Sequence, residues 1–207
     1  MCDDLNTMSS ALAYTGGPPY ALADWESLDE DPGGNRVELI GGHFKVTPAP
    51  SYAHQAISDE LRLLLRQALR REERSDLVAV SALGISVVEG MGFVPDISVV
   101  PAQSDGTIKV AASEVLLAVE VVSPRTRKDD RMVKPEAYAQ AGVPFYWRVE
   151  PMPGAPPAIF CFQLDKGEYA ESAVVESGRP ATVKAAPVDV DLDVDVLYEQ
   201  IFGAWSR

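Results

Sequence analysis

The chain has 207 residues, of which 46% are hydrophobic and 24% are charged, and its formal net charge is −13. This composition supports a folded core and excludes wholesale disorder, and no apolar run of about 18 residues offers a transmembrane helix. The acidic charge excludes indiscriminate binding to polyanions, although basic clusters and bound metal ions can override it locally.

The N-terminal segment and the two cysteines indicate where the protein works. The chain begins Met1-Cys2-Asp3-Asp4, which is unlike a secretory signal. We expect residues 1–19 to form a flexible tail and residues 20–207 to form a single domain. Cys2 and Cys161 form neither a disulfide framework nor a zinc-binding spacing, so the sequence predicts a protein of the reducing cytoplasm.

The first half of the chain reads as helix, hairpin and helix. A short helix is predicted over Tyr20–Leu28, and Asp31-Pro32-Gly33-Gly34 ends it. Strands are predicted over Arg36–Ile40 and His43–Thr47. Gly41-Gly42 joins them as a two-residue hairpin turn, since both positions tolerate positive φ.

A long helix is predicted from Ser51, a good N-cap, to about Glu72. Its apolar residues recur every three or four positions and predict one buried face: Ala53, Ala56, Ile57, Leu61, Leu64 and Ala68. The basic residues of this region are Arg62, Arg66, Arg70, Arg71 and Arg74. They are expected to face solvent, with phosphate contact as the alternative.

The remaining elements alternate between strands and helices. Strands are predicted over 77–81, 85–88, 95–100, 115–122, 145–149, 158–164, 169–175 and 188–196, the last with one solvent-exposed face. A helix is predicted from Thr126 to Ala141, stopped by Gly142 and disturbed by Pro135, and a short helix over Leu197–Phe202. The pattern predicts an α/β fold whose central mixed sheet is flanked by helices and extended by C-terminal strands.

One buried acid dominates the second half. Glu120 lies within the apolar run Leu116–Pro124, which reads as a buried strand. An ionised carboxylate there is costly unless a metal ion, a Lys or a proton neutralises it. Asp96 follows Pro95 at the head of another β-rich run. Two acids on neighbouring strands predict a divalent-metal site, and a structural acid paired with a cation is the alternative for Glu120.

An ordered series of motifs carries a family resemblance over about residues 20–202. The blocks are Val37-Glu38-Leu39-Ile40-Gly41-Gly42, Pro48 with Ser51 and His54, Pro95-Asp96, Glu120-Val121-Val122-Ser123-Pro124, Thr126, Asp130, Lys134, Tyr138, Ala141-Gly142-Val143-Pro144 and Tyr146-Trp147. The chain resembles the PD-(D/E)XK nuclease superfamily and, within it, the Uma-two family of restriction-endonuclease-like proteins. Glu150 and Pro135 depart from the family pattern.

The resemblance implies catalytic roles for four residues. Asp96 and Glu120 would bind Mg²⁺ or Mn²⁺, and Glu38 would assist. The motif's Lys is expected two positions after the second acid, where this chain has Val122. Lys134 lies on the following segment and matches the position where the family carries a Lys in its stead. This relocation is plausible because a Lys stem of about 6 Å can reach a neighbouring strand end. For His54, a packing role is favoured over an accessory role in the site. For Asp130, a structural role is favoured over a role in the site.

The function predicted from these residues is a metal-dependent DNA endonuclease acting on phosphodiester bonds. The alternatives are a catalytically inactive DNA-binding protein of the same fold and a dimeric interaction module, since strands in Ala158–Val196 could pair between chains. A homodimer with a DNA substrate and no membrane association is expected. Tyr146 and Trp147 are predicted to be core aromatics.

Overall fold

The structure is a computed structural model that describes residues 17–29, 35–185 and 188–203. Most of the predicted tail and the turn at Asp31–Gly34 lie outside these residues. The helices are α1 (Leu22–Glu26), α2 (Tyr52–Arg71), α3 (Lys134–Gln140) and α4 (Val194–Phe202). The strands are β1 (Arg36–Ile40), β2 (His43–Thr47), β3 (Leu77–Ser81), β4 (Gly84–Val88), β5 (Met91–Phe93), β6 (Ile97–Pro101), β7 (Lys109–Ala111), β8 (Leu117–Val121), β9 (Phe145–Met152), β10 (Ala155–Asp165), β11 (Glu168–Val175), β12 (Ala181–Ala185) and β13 (Val188–Leu192).

A six-stranded sheet in the order β11-β10-β9-β8-β6-β3 forms the centre of the protein. Only the β8–β9 pair is parallel, so the sheet is mixed. Residues alternate between its faces: Leu117, Val119 and Val121 of β8 pack in the core with α2 and α4. Ala118 packs in the other core, with Tyr138 of α3. The predicted α/β fold with a helix-flanked mixed sheet is confirmed.

A second sheet carries β1 and stands beside this centre. Its order is β2-β1-β5-β4-β7. Gly41 and Gly42 form the predicted turn between β1 and β2, with φ of 57° and 75°. Trp25 of α1 donates a 2.7 Å hydrogen bond to the carbonyl of Val37. Strand β1, which carries Glu38, is therefore held by β2 and β5 on its two sides and by Trp25 of α1.

The long helix forms as predicted and buries a slightly different stripe. Ser51 is the N-cap, and its side chain accepts a hydrogen bond from the backbone N–H of His54. Leu65 and Leu69 are buried, whereas the predicted core residue Leu64 is only partly buried. The difference is one of helix phase, since Leu61, Leu65 and Leu69 repeat every four residues.

Pro135 is accommodated by a widened helical turn. Residues Asp129–Val133 form a π-helical turn, in which the Lys134 N–H donates to the carbonyl of Asp129. Pro135 then occupies the start of α3, where its missing N–H and its ring are tolerated. The helix therefore starts close to its predicted place, but its regular part begins only at Lys134.

The C-terminal third departs from the predicted boundaries. Strand β9 continues through Pro151 to Met152, because it pairs with β10 as far as Ala155. The strand predicted to end at Val196 stops at Leu192, because Asp193 caps α4 by accepting from the N–H groups of Asp195 and Val196. Strand β12, not predicted, pairs with β13. Three further short elements, β5, β7 and a 3₁₀ turn over Ala112–Glu114, were also not predicted.

Of the helices in the described part of the chain, none combines the length and the apolar composition that a membrane span requires.

Candidate functional site

The predicted site residues meet in one cavity of about 300 Å³. Strand β1 supplies Glu38, the start of β6 supplies Asp96, β8 supplies Glu120, and the helical segments supply His54 and Lys134. Two loops, 48–51 and 123–126, also line the cavity. The structure thus brings together all five residues that the sequence singled out, from positions as far apart as 38 and 134.

Asp96 directly precedes β6, and Glu120 lies on the neighbouring strand β8. Strands β6 and β8 are antiparallel, with Ile97 opposite Val119, so the next pair in register is Asp96 and Glu120. The N–H of Val121 donates a 2.8 Å hydrogen bond to Asp96 Oδ2. Glu120 therefore lies on a strand as predicted, whereas Asp96 lies one residue before the neighbouring strand and not within it.

Asp96 is a buried carboxylate held by two cationic or polar side chains. Arg36 Nη1 contacts Oδ1, and His54 Nε2 lies 3.2 Å from Oδ2. Burial raises the pKa of Asp96, but the hydrogen bond and charge of His54, together with Arg36, outweigh it and lower the pKa to about 2. Asp96 is therefore ionised at neutral pH, and Arg36, His54 and the N–H of Val121 contact its two oxygens.

Lys134 is the centre of a second group of charges. Its Nζ lies 2.9 Å from Glu38 Oε1, 3.0 Å from Glu120 Oε2 and 3.3 Å from Asp130 Oδ1. Burial lowers the pKa of Lys134, but the three carboxylates outweigh it and leave the pKa well above its ordinary value. Lys134 therefore keeps its proton, and the substitute Lys does reach the second acid from beyond Ser123-Pro124.

Glu120 is a carboxyl group whose ionisation the site disfavours. Burial raises its pKa well above the ordinary value against the attraction of Lys134, and the neighbouring acids Asp130, Asp96 and Glu38 add to this effect. The hydroxyl of Tyr138 lies 3.1 Å from Oε1 and donates to it. Tyr138 and Lys134 thus contact one oxygen of Glu120 each, and an added positive charge would favour its ionised form.

The loop after β8 is preorganised by its own side chains. The N–H of Ser123 donates to Thr126 Oγ1 at 3.1 Å, and the N–H of Thr126 donates to Ser123 Oγ at 3.2 Å. These reciprocal bonds fix the turn that leads to Asp130 and Lys134. Arg125 lies on this turn at the cavity wall, where its charge would meet an anion entering the site.

The donor set suits a hard divalent cation. Asp96, Glu120 and Glu38 offer carboxylate oxygens, the ligands that Mg²⁺ and Mn²⁺ prefer. Four acids line the cavity against three permanent cations, Arg36, Arg125 and Lys134, so its formal charge is negative. Among the described residues, however, no three His, Cys, Asp or Glu side chains already form a cluster that could hold an ion. Asp96 instead contacts Arg36, and the other three acids of the cavity contact Lys134.

Arg36 is the site residue that the sequence does not single out. It lies two positions before Glu38, and alternate residues of a strand share a face, so the pattern contained a signal for it. Asp130, predicted to be structural, is buried beside Lys134. Tyr146 and Trp147 are fully buried, and the prediction that they are core aromatics is confirmed.

His54 lets the role of the Asp96 contacts be tested. For the metal-dependent DNA endonuclease that the sequence predicts, we expect His54→Ala to reduce cleavage about 10- to 100-fold, because groups that orient a metal-binding carboxylate typically have effects of this size. His54→Gln should recover part of the rate, since an amide N–H can replace the donor to Asp96. Rates of plasmid cleavage by the purified variants measure both effects.

The control is His43→Gln, which changes a histidine exposed beside the β1–β2 turn. It should cleave like the parent. Equal rates for His54→Ala and the parent would show that His54 is a packing residue only.

Comparisons with known proteins agree with this architecture. A family model described as "Putative restriction endonuclease", Uma2, matches residues 22–195. A solved structure described as a "putative nuclease belonging to DUF820", from Anabaena variabilis ATCC 29413, superposes with a TM-score of 0.66 at 20% identity, over 89% of this chain and 100% of that one. At this identity the likeness concerns the fold. No curated protein matches the chain.

Proposed function

Because the chain belongs to the Uma2 family of restriction-endonuclease-like nucleases, we propose that it is an Mg²⁺- or Mn²⁺-dependent endonuclease that hydrolyses phosphodiester bonds of DNA. The observation that carries the proposal is the single cavity that holds Glu38, Asp96, Glu120 and Lys134. Three carboxylates and one ammonium group, all buried, are an arrangement that a structural core does not need.

Asp96 and Glu120 would hold the metal ion, and Glu38 would assist. Such an ion supplies Lewis acidity and neutralises negative charge on the phosphate. Asp96 stays ionised through Arg36 and His54, so it offers a permanent negative charge. The backbone N–H of Val94 donates to Glu38 Oε1 at 3.1 Å, which fixes the third carboxylate at the cavity wall.

Lys134 would act on the phosphate and the attacking water. Its ammonium group carries a proton that it can donate in a hydrogen bond, and its charge offsets the charge that develops on the phosphate oxygens. Lys134 Nζ now contacts three carboxylates. With Glu120 holding a metal ion, Lys134 would direct toward the substrate the hydrogen-bonding capacity that Glu120 now takes.

The test is a cleavage assay with supercoiled plasmid and linear duplex. We expect purified protein to nick or cut DNA with Mg²⁺ or Mn²⁺, and to stop when EDTA removes the metal. Calorimetry with Mn²⁺ should show binding that Asp96→Asn abolishes. Absence of cleavage with both metals, over a range of DNA substrates, would contradict the proposal.

A second candidate is a binding protein that keeps the fold without catalysis. It is favoured by Val122 at the position of the motif's Lys and by the present pairing of the acids with Arg36 and Lys134. DNA binding without Mn²⁺ binding or cleavage would support it. Both proposals include a homodimer that pairs through β11, an edge strand of the six-stranded sheet. Light scattering that shows a monomer at high protein concentration would contradict this dimer.

A further inference from the structure

Two pockets lie along the junction between α2 and β3, which we call the groove, and one of them adjoins the cavity of the candidate site. Strand β3 is the edge strand of the six-stranded sheet, and α2 packs along it. Beside the cavity, Ser58 and Ser81 line a pocket of about 310 Å³ that shares Arg36, His54 and Asp96 with the site. At the far end, Leu77 and Val78 line a second pocket, of about 340 Å³. The two pockets thus mark the two ends of one helix–strand junction.

The far end of this groove is positively charged. Arg66, Arg70 and Arg74 line it, together with the acid Glu73. Arg74 is paired with Asp76 at 2.6 Å. Among the described residues, Arg66 and Arg70 have no acidic partner within 4.0 Å. Two unpaired guanidinium groups one helical turn apart therefore stand on a chain whose net charge is −13.

The arginines continue a line that begins in the active site. His54, Ser58, Arg62, Arg66 and Arg70 are each four residues apart. With 3.6 residues per turn, each lies about 40° further round α2 than the one before, so the row turns gradually from the buried His54 to the exposed Arg70. Twelve residues separate Ser58 from Arg70, which is about 18 Å along the helix at 1.5 Å per residue. This length corresponds to roughly five base-pair steps along the axis of a DNA duplex at 3.4 Å each.

We propose that the groove between α2 and β3 binds the phosphate backbone of the DNA strand next to the cleavage site, with Arg66 and Arg70 as the phosphate contacts. The inference rests on the proposed function and adds a substrate-binding surface to it. Guanidinium groups bind phosphate oxygens with paired N–H donors. Arg62 contributes less, because Asp59 lies 3.6 Å from its guanidinium group.

Binding in EDTA separates this proposal from catalysis, since no strand is cut. Fluorescence anisotropy with a labelled 20-base-pair duplex compares the parent with Arg66→Ala/Arg70→Ala over a range of salt. We expect the double variant to bind about tenfold more weakly, and the slope of log K against log salt to fall by about 2, because each phosphate contact contributes close to one unit.

The matched control is Lys166→Ala/Arg179→Ala, which removes the same charge from exposed positions at the β10–β11 turn and before β12. It should bind like the parent, and circular dichroism should show that both double variants are folded. Equal affinity and salt slope for the groove variant and the control would overturn the groove proposal, as would a parent that binds duplex RNA but not DNA. Metal-dependent cleavage that persists in the groove variant would leave the proposed function standing, so the two proposals can fail separately.

Discussion

Replacing Asp96 by Asn or Glu120 by Gln is expected to reduce DNA cleavage by about 10³-fold or more, because each change removes a proposed metal ligand and the charge that holds the ion. Both side chains are buried in the same cavity, with 3% and 2% of their surface exposed. No neighbouring acid can take the place of either residue as a ligand, since the other acids of the cavity, Glu38 and Asp130, contact Lys134. The measurement is the rate of plasmid nicking with saturating Mn²⁺.

The controls for this prediction test both charge and folding. Glu136→Gln changes an exposed acid of α3 and should cleave at the parental rate. Glu120→Gln should remain folded, because the amide replaces a carboxyl group whose ionisation burial already disfavours. If folded Asp96→Asn and Glu120→Gln both cut DNA as the parent does, these two acids are not the metal ligands.

Replacing Lys134 by Met is expected to abolish cleavage and to destabilise the fold. The side chain is 3% exposed and contacts Glu38, Glu120 and Asp130. Its removal leaves buried carboxylates without their cation, and breaking a buried ion pair from one side costs about 3–5 kcal/mol. Chemical denaturation of the variant and the parent measures the free energy of unfolding.

The control and the rescue identify the cause of this loss. Lys128→Met removes a charge from an exposed position six residues earlier and should change stability by less than about 0.5 kcal/mol. Lys134→Met/Glu120→Gln should recover part of the lost stability but none of the activity, because it removes an uncompensated charge without restoring the cation. An additive loss in the double variant would show that Lys134 and Glu120 do not interact.

The loss in Lys134→Met should also depend on pH. Burial holds the pKa of Glu120 well above its ordinary value of 4.5, and removal of the cation raises it further. The folded variant then binds a proton that the unfolded chain releases, so this contribution to stability is complete below about pH 4.5 and is lost as the pH rises through the folded pKa. The deficit relative to the parent should therefore be larger at about pH 8 than at about pH 5. A deficit that does not change with pH would show that the carboxyl groups are not its cause.

Local chemistry explains which features the sequence alone determined. Gly41 and Gly42 adopt the positive φ that a two-residue turn needs, and Ser51 caps the long helix that its spacing predicts. Asp96 and Glu120 were placed on neighbouring strands because apolar, β-branched runs form buried strands. The roles of the acids were an inference from the cost of burying charge. Each of these features depends on residues close in the chain.

Other features depend on contacts between distant segments, and only the tertiary structure decided them. The reach of Lys134 to Glu120 depends on the π-helical turn before Pro135, which the helical pattern does not encode. Arg36 pairs with Asp96, 60 residues later, because β1 and β6 meet at the cavity. The strand predicted over 188–196 ends at Leu192. Alternating apolar and acidic residues fit both a strand and the first turn of a helix, and the cap formed by Asp193 selects the helix from Val194 onward. Hydrophobic period and turn chemistry act within a segment, whereas the pairing of buried charges is set by which segments the fold brings together.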